Sequence, residues 1–454
     1  MWKRNLAIPF IWVIILALNA QNFFFWDTIQ LSSKQASFFF DGHFSSFFLP
    51  KEINSGHPPF YGLSLALFWK IFGQSLLTSH IFNGFFVIGY LFQAHRLGQF
   101  FLGNKKAFWF PAILFCNPIF LGHSILVSPD NVLIFLFFLA LNAILRKQNT
   151  LLIVATIFLA ILSMRGMMVV FALFLGELLW TYMKERKFRI HLIIKYIASG
   201  MAALAFLVSH YFHNRWFGFH ADSPWKESFQ AVSVLGYLRN LGLVCWRFLD
   251  FGNVFTLLGL GFLLIKSKFD LKPFYFFVAF IIAFVIVFVL PLAGFKYLTA
   301  HRYFMPIYAL FSFWFIVAAI EYNRSKLRTA VLILLFLGNC WIYPRSISQG
   351  WDVTLGHLPF YHLVEKMNDY IVEENIDIEK VGSEFPLKSE SRFLYLDANK
   401  PSYQEAKIGE KPFIIYSKVI NDYKDVDYEK LQADYTLRKA FKFLSISVEL
   451  YEKR

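Results

Sequence analysis

Two carboxylates, Asp27 and Asp130, and two guanidiniums, Arg165 and Arg302, have the side-chain types needed to handle a charged, lipid-borne substrate. A carboxylate beside a hydroxyl can take its proton, and an arginine offers a planar fork to a phosphate. All four stand at the ends of apolar runs rather than inside them. Asp27 follows the first run, and Asp130 sits in the turn Ser128-Pro129-Asp130-Asn131. Arg165 lies in Ser163-Met164-Arg165-Gly166, while Arg302 opens a late run, flanked by His301 and Tyr303. His57, in Gly56-His57-Pro58-Pro59, shares a stretch with Asp41 and Glu52. Ionisable groups beside hydrocarbon are costly and are usually retained there for function. Each also has a plainer reading. Asp27 is then a snorkelling interfacial acid, Asp130 a helix N-cap, and Arg165 an anchor on headgroup phosphate.

The elements that position these groups follow from composition. The 454 residues are 57% hydrophobic, 20% aromatic and 16% charged. A soluble chain carries about a quarter charged residues, so this is a polytopic membrane protein. The net charge of +14 is unevenly spread. Residues 345–454 hold 16 Lys+Arg against 19 Asp+Glu, and residues 1–344 hold 28 against 11. The basic excess therefore belongs to the membrane part, where it orients helices and meets anionic lipid, and it does not indicate nucleic acid. Cys116, Cys245 and Cys340 lie singly in apolar surroundings and read as core residues.

About eleven spans are expected. The first runs to about Asn22 behind Lys3 and Arg4, as an uncleaved helix. The others cover approximately 77–95, 107–127, 131–145, 150–164, 167–183, 191–212, 251–265, 273–292, 303–320 and 329–344. Between the first two lies a long loop, too polar to cross a bilayer and too aromatic for free solution. It should lie in the interface, with amphipathic helices at Ile29–Phe40 and Tyr61–Phe72. With the N-terminus cytoplasmic, the basic clusters at Arg146/Lys147, Lys184–Arg189, Lys266–Lys272 and Arg324–Arg328 all fall inside. The opposite loops have roughly a quarter of that density. Seven of the eleven acids before residue 345 then face outward: Asp27, Asp41, Glu52, Asp130, Asp222, Glu227 and Asp250. The working face points out of the cell.

In this order the motifs resemble the C-type (GT-C) integral-membrane glycosyltransferase superfamily, in its branch of protein O-mannosyltransferases and lipid A aminoarabinose transferases. The shared pattern is an acid after the first helix, a base before Pro58-Pro59, and an aromatic segment ending in Phe72-Gly73. An outer-turn Asp, Arg165-Gly166 and Arg302-Tyr303-Phe304-Met305-Pro306 follow, so the likeness covers about residues 5–310. The resemblance implies a polyprenyl-phosphate sugar donor and a lipid, glycan or protein acceptor. It makes Asp27 the catalytic acid, Asp130 the second-loop acid, and His57, Arg165 and Arg302 the donor-phosphate groups. Asp41, Glu52, His301 and Tyr303 would support them. Two positions depart from the pattern. Thr28 replaces a second acid, and Asn54-Ser55-Gly56 lacks the acid that some relatives carry before the base. No metal ligand set is therefore assigned, and a divalent ion is left open.

Such a transfer needs a carboxylate facing the acceptor and an oxocarbenium-like centre, with cations on the leaving phosphate. Attack opposite the phosphate inverts the anomeric carbon. The fold class is then mainly α: a transmembrane helical bundle over residues 1–344 with a small extracytoplasmic α/β domain over 345–454. That tail carries helical candidates at Phe360–Glu374 and Tyr428–Tyr435 and strand-like runs at Arg392–Leu396, Pro412–Tyr416 and Ser445–Tyr451. It shows no catalytic constellation, and reads as an acceptor-binding unit or as a lid or cap. The localisation is the inner membrane, multi-pass. The rival reading is a secondary transporter or lipid-linked-sugar flippase, whose usual marks are repeats and mid-membrane charges. In a background lacking the native cysteines, Ser45→Cys and Lys400→Cys should react with an impermeant thiol reagent on intact cells, and Arg186→Cys should not. The opposite pattern would reverse the orientation.

Overall fold

Long apolar runs with no internal water to satisfy their backbones close into helices, and helices dominate this chain. The computed structural model describes every residue except Met1, Phe219, Ala221, Asp222, Pro224, Trp225 and Phe269. Asp222, counted above among the outer acids, lies outside the described residues. Among those described, five helices are long and apolar enough to cross a bilayer alone: Leu76–Leu102, Met164–Glu185, Ile190–Asn214, Lys272–Leu292 and His301–Glu321. Shorter apolar helices accompany them, at Ala7–Leu18, Phe60–Phe72, Pro129–Leu145 and Asn149–Leu162. The count of about eleven rests on including shorter pieces of this kind. The expected run 107–127 is two helices, Trp109–Cys116 and Pro118–Ser124, because Asn117 caps a new start with Pro118 at its first position. The run 329–344 is helical only over Ser325–Leu337, followed by a single tight turn.

One helix is absent from the sequence reading. Val234–Leu249 meets Asn253–Lys266 at 87°. It exposes Val234, Leu235, Leu238, Trp246 and Leu249 on one side and turns Asn240 and Val244 inward. That division suits a helix lying in the interface, and its Arg and Asn had concealed its apolar face. Cys245 and Cys340 are exposed rather than core, and Cys116 is half-buried.

The long first loop folds into helices at the two places anticipated. Ile29–Lys34 is wound as a π-helix that continues into Gln35–Asp41, and Phe60–Phe72 packs across them. Gly62 makes the crossing close, since a Cβ there would meet the Gln35 Cβ at 2.6 Å.

The C-terminal sheet has the order β2-β1-β3-β5-β4, with β1 Val381–Ser383, β2 Gln404–Glu405, β3 Phe413–Tyr416, β4 Tyr435–Phe443 and β5 Ile446–Lys453. β1 is parallel to β2 and β3, while β5 is antiparallel to both neighbours. Arg392–Leu396, expected as a strand, starts instead as the short helix Ser391–Leu394, whose carbonyls at Phe393 and Leu394 accept from the first loop rather than from a neighbouring strand. The tail is fastened to that loop. Phe24 N–H donates to Leu394 O at 3.0 Å and Ser33 Oγ to Phe393 O at 2.6 Å. Phe23 and Phe25 insert among Phe360, Tyr361 and Tyr395, with Phe25 stacked on His357. On the other side, a Cβ on Gly122 would meet the Thr354 backbone at 2.4 Å. The segment Trp351–Thr354 is thus clamped between the first loop and helix Pro118–Ser124.

Candidate active site

Several membrane helices begin or end where the tail is clamped. Pro129–Leu145 starts beside Asp130, Met164–Glu185 beside Arg165 and Met305–Glu321 just after Arg302, while Asn253–Lys266 starts just after Asp250. Their far ends carry Arg146, Lys184, Arg324 and Lys266. The outer-turn groups and the basic clusters therefore lie at opposite ends of the bundle, as the sidedness argument requires.

Arg302 stands at the centre. Its guanidinium is ion-paired with Asp27 through one nitrogen and with Asp352 through the other, the latter at 3.2 Å. It lies over the Tyr303 ring at 5.3 Å, and Arg165 approaches the same ring at 4.8 Å. Arg165 in turn binds Asp130 at 2.6 Å. His123 closes the ring, with Nε2 3.4 Å from Asp130 and Nδ1 donating to the Asp352 backbone carbonyl at 3.1 Å. Asp27 is also fixed from behind: Trp26 has a left-handed φ of 51°, an uncommon conformation for a bulky residue. Thr28 exchanges hydrogen bonds with the backbone of Phe25.

Two cavities meet at this ring. One, of about 520 Å³, is the more polar of the two and lies under the tail, with Asp27, Arg239, Arg247, Lys296, Arg302 and Asp352 on its wall. The other, of about 270 Å³, is mostly apolar, lined by Leu31, Met164, Met168, Leu292, Phe295 and Leu298 together with His57 and Arg165. Asp27 and Arg302 line both. In the polar cavity, Trp26 Nε1, Arg247 Nε, Arg302 Nε and Trp351 Nε1 belong to lining residues, are buried, and have no partner among the described residues. The cavity wall itself carries Arg239, Arg247, Lys296 and Arg302, so this cavity suits a ligand rich in oxygen.

The residues singled out in the sequence divide into groups. Asp27, His57, Arg165, Arg302 and Tyr303 line the cavities, and His301 lines the polar one while donating to buried Asp250 at 2.8 Å. Asp250 is held further by Arg247 and Tyr343. Asp130 lines neither cavity; it is 3% exposed and acts on Arg165. Asp41 and Glu52 are exposed and line neither. Sequence reasoning missed His123, hidden inside an expected span, and Asp352, in a tail that showed no chemistry. Glu177, an acid inside the apolar helix Met164–Glu185, is paired with Lys195 and Tyr196. Among the described residues no three His, Cys, Asp or Glu side chains gather as a metal site. Asp27 and Asp352 are both committed to Arg302, which does not fit a resident cation.

No protein-family model matches the chain, and no curated protein matches it in sequence. Solved structures do match in shape, among them ArnT from Cupriavidus metallidurans bound to undecaprenyl phosphate and the same protein in its apo state. Identity is 10% in each, with TM-scores of 0.55 and 0.56. The first superposition covers 98% of this chain and 97% of ArnT, the second 97% of each. The chain shares the ArnT fold. ArnT is a lipid A aminoarabinose transferase of the GT-C fold, so the architecture expected from the outer-turn motifs is the one found. The likeness includes the tail, which those motifs did not reach.

His57 differs from its expected part as a cation. Burial, and then Arg165, lowers its pKa from 6.5 to about 4. Its Nδ1 accepts the Met164 backbone N–H at 3.2 Å, which leaves Nε2–H as a neutral donor. Above pH 6.5 both folded and unfolded forms are neutral. Below it the unfolded chain takes up a proton that the folded chain refuses until about pH 4, so stability falls with pH across that window. His57→Asn keeps an acceptor for Met164 and should flatten the melting-temperature profile between pH 6.5 and 4, by up to one proton's worth of slope. An unchanged slope would mean that His57 titrates normally.

Proposed function

We propose that this protein is an integral-membrane glycosyltransferase that moves a sugar from a polyprenyl-phosphate donor to an acceptor on the extracytoplasmic face, with inversion. The observation that carries this reading is the shared wall: the Asp27–Arg302 pair borders an apolar cavity on one side and a polar cavity on the other. ArnT, with the same fold, has been solved with undecaprenyl phosphate. Residues 1–344 form the inner-membrane domain with a cytoplasmic N-terminus, and 345–454 the periplasmic domain.

The prenyl chain enters among Leu31, Met168, Leu292 and Leu298, which places its phosphate near Arg165, Arg302 and the His57 N–H. These donors lie in a site screened from water, where they act most strongly. The sugar and acceptor occupy the polar cavity. Asp27 takes the acceptor hydroxyl's proton as that oxygen bonds to the anomeric carbon. The bond from that carbon to the phosphate oxygen breaks, and its electron pair leaves on the phosphate. One negative charge thus moves from Asp27 to the phosphate, and Arg302, already between the two places, serves both. Asp130 is a positioning residue that aims Arg165, and Asp352 holds Arg302 from the tail.

The flippase alternative predicts transport without bond cleavage. Asp27→Asn keeps shape but loses the base, a change that typically costs ~10²–10⁴-fold in rate. Transfer of radiolabel from a polyprenyl-phosphate sugar should drop by that order in Asp27→Asn and clearly less in Asp130→Asn. Equal losses, or wild-type transfer in Asp27→Asn, would remove Asp27 from the reaction.

A further inference from the structure

Beneath the tail, the polar cavity does not end at the ion-pair ring. Ser348 and Asn421 line both it and a second recess of about 320 Å³ that opens within the tail itself. Asn421 Nδ2–H, donating to Gln349 O at 3.0 Å, ties the two sides of this junction together. The recess is unlike the domain that carries it. Residues 345–454 are net acidic, 19 Asp+Glu against 16 Lys+Arg, yet this recess is lined by Arg345, Lys418 and Lys424 against a single acid, Asp425. Arg345 is 3.7 Å from Asp425 and stacks on Tyr428 at 3.7 Å. Lys418 and Lys424 line the recess with no carboxylate partner among the described residues, and Lys418 Nζ rests over the Trp351 ring at 5.9 Å. Partial burial lowers the pKa of Lys418, a cost that no carboxylate offsets. Tyr416 and Tyr423, 5.2 Å apart, supply an aromatic wall.

Cations beside tyrosine faces and hydroxyls form a surface for a sugar that bears an anionic group, the tyrosine rings meeting apolar sugar faces and the cations the charge. We infer that the tail recess is a distal subsite for a phosphorylated or carboxylated sugar unit of an extended acceptor whose reacting end lies at Asp27. The inference rests on the glycosyltransferase reading for the acceptor's direction, but the subsite itself is a matter of binding. It makes the tail a specificity element, not only a cap.

The test uses full-length protein in detergent, titrated calorimetrically with glucose 6-phosphate, glucose and inorganic phosphate. Glucose 6-phosphate should bind, glucose should give no measurable heat, and inorganic phosphate should bind at least about fivefold more weakly. The double variant Lys418→Gln/Lys424→Gln should lose glucose 6-phosphate affinity by about tenfold or more. Its binding of undecaprenyl phosphate, measured in parallel, should be unchanged and reports an intact fold. Equal affinity in variant and wild type would overturn the subsite, and inorganic phosphate binding as tightly as the sugar phosphate would overturn its sugar part. Loss of undecaprenyl phosphate binding in wild type would count against the donor reading alone.

Discussion

One guanidinium held between two carboxylates sets the constraints on this structure. Arg302 is about nine-tenths buried, at the end of a membrane helix, and could not remain there charged without partners. Asp27 comes from the first loop and Asp352 from the tail, so neutralising Arg302 requires both to be docked on the bundle. Breaking a buried pair by removing one partner costs about 3–5 kcal/mol. That scale explains why the interfacial loop, the tail and the helix ends form one continuous core rather than loosely joined parts. The aromatic packing of Phe23 and Phe25 and the close approach at Gly122 hold the same three pieces from either side.

The arrangement has a consequence for charge. Two guanidiniums, Arg165 and Arg302, face three carboxylates, Asp27, Asp130 and Asp352. No cation in the ring is idle, so an incoming phosphate competes for groups already engaged. Arg302 is the one that stands between both cavities. In the proposed reaction, drawing it towards a phosphate would loosen its hold on Asp27 and free that carboxylate once the donor is in place. His57, kept neutral by burial, offers a hydrogen bond without adding a third cation to the ring.

Much of this was legible in the sequence, and the reasons are local. Charges at the ends of apolar runs mark a working face because hydrocarbon excludes them elsewhere, so Asp27, Arg165 and Arg302 could be picked out. The helix Phe60–Phe72 was legible because an apolar, aromatic run lies between the breakers Pro58-Pro59 and Gly73. His123 and Asp352 were not legible. Each acquires its part only from a long-range contact, His123 through a helix broken at Asn117 and Asp352 through docking of the tail. The helix Val234–Leu249 was hidden for a different reason, since its apolar residues fall on one face and never form a continuous run. Asp130 was found, but its turn could not tell whether it would meet a ligand or an arginine.

The central claim is that Arg302 is shared between Asp27 and the donor phosphate, and the affinity of the purified protein for undecaprenyl phosphate tests it most directly. Asp27→Asn removes the carboxylate that competes for Arg302 without removing the guanidinium. The account predicts that this variant binds undecaprenyl phosphate several-fold more tightly than wild type, while Arg302→Ala binds it much more weakly. If Asp27→Asn binds the lipid no better than wild type, the phosphate does not draw on Arg302 in this way and the shared-arginine account is wrong.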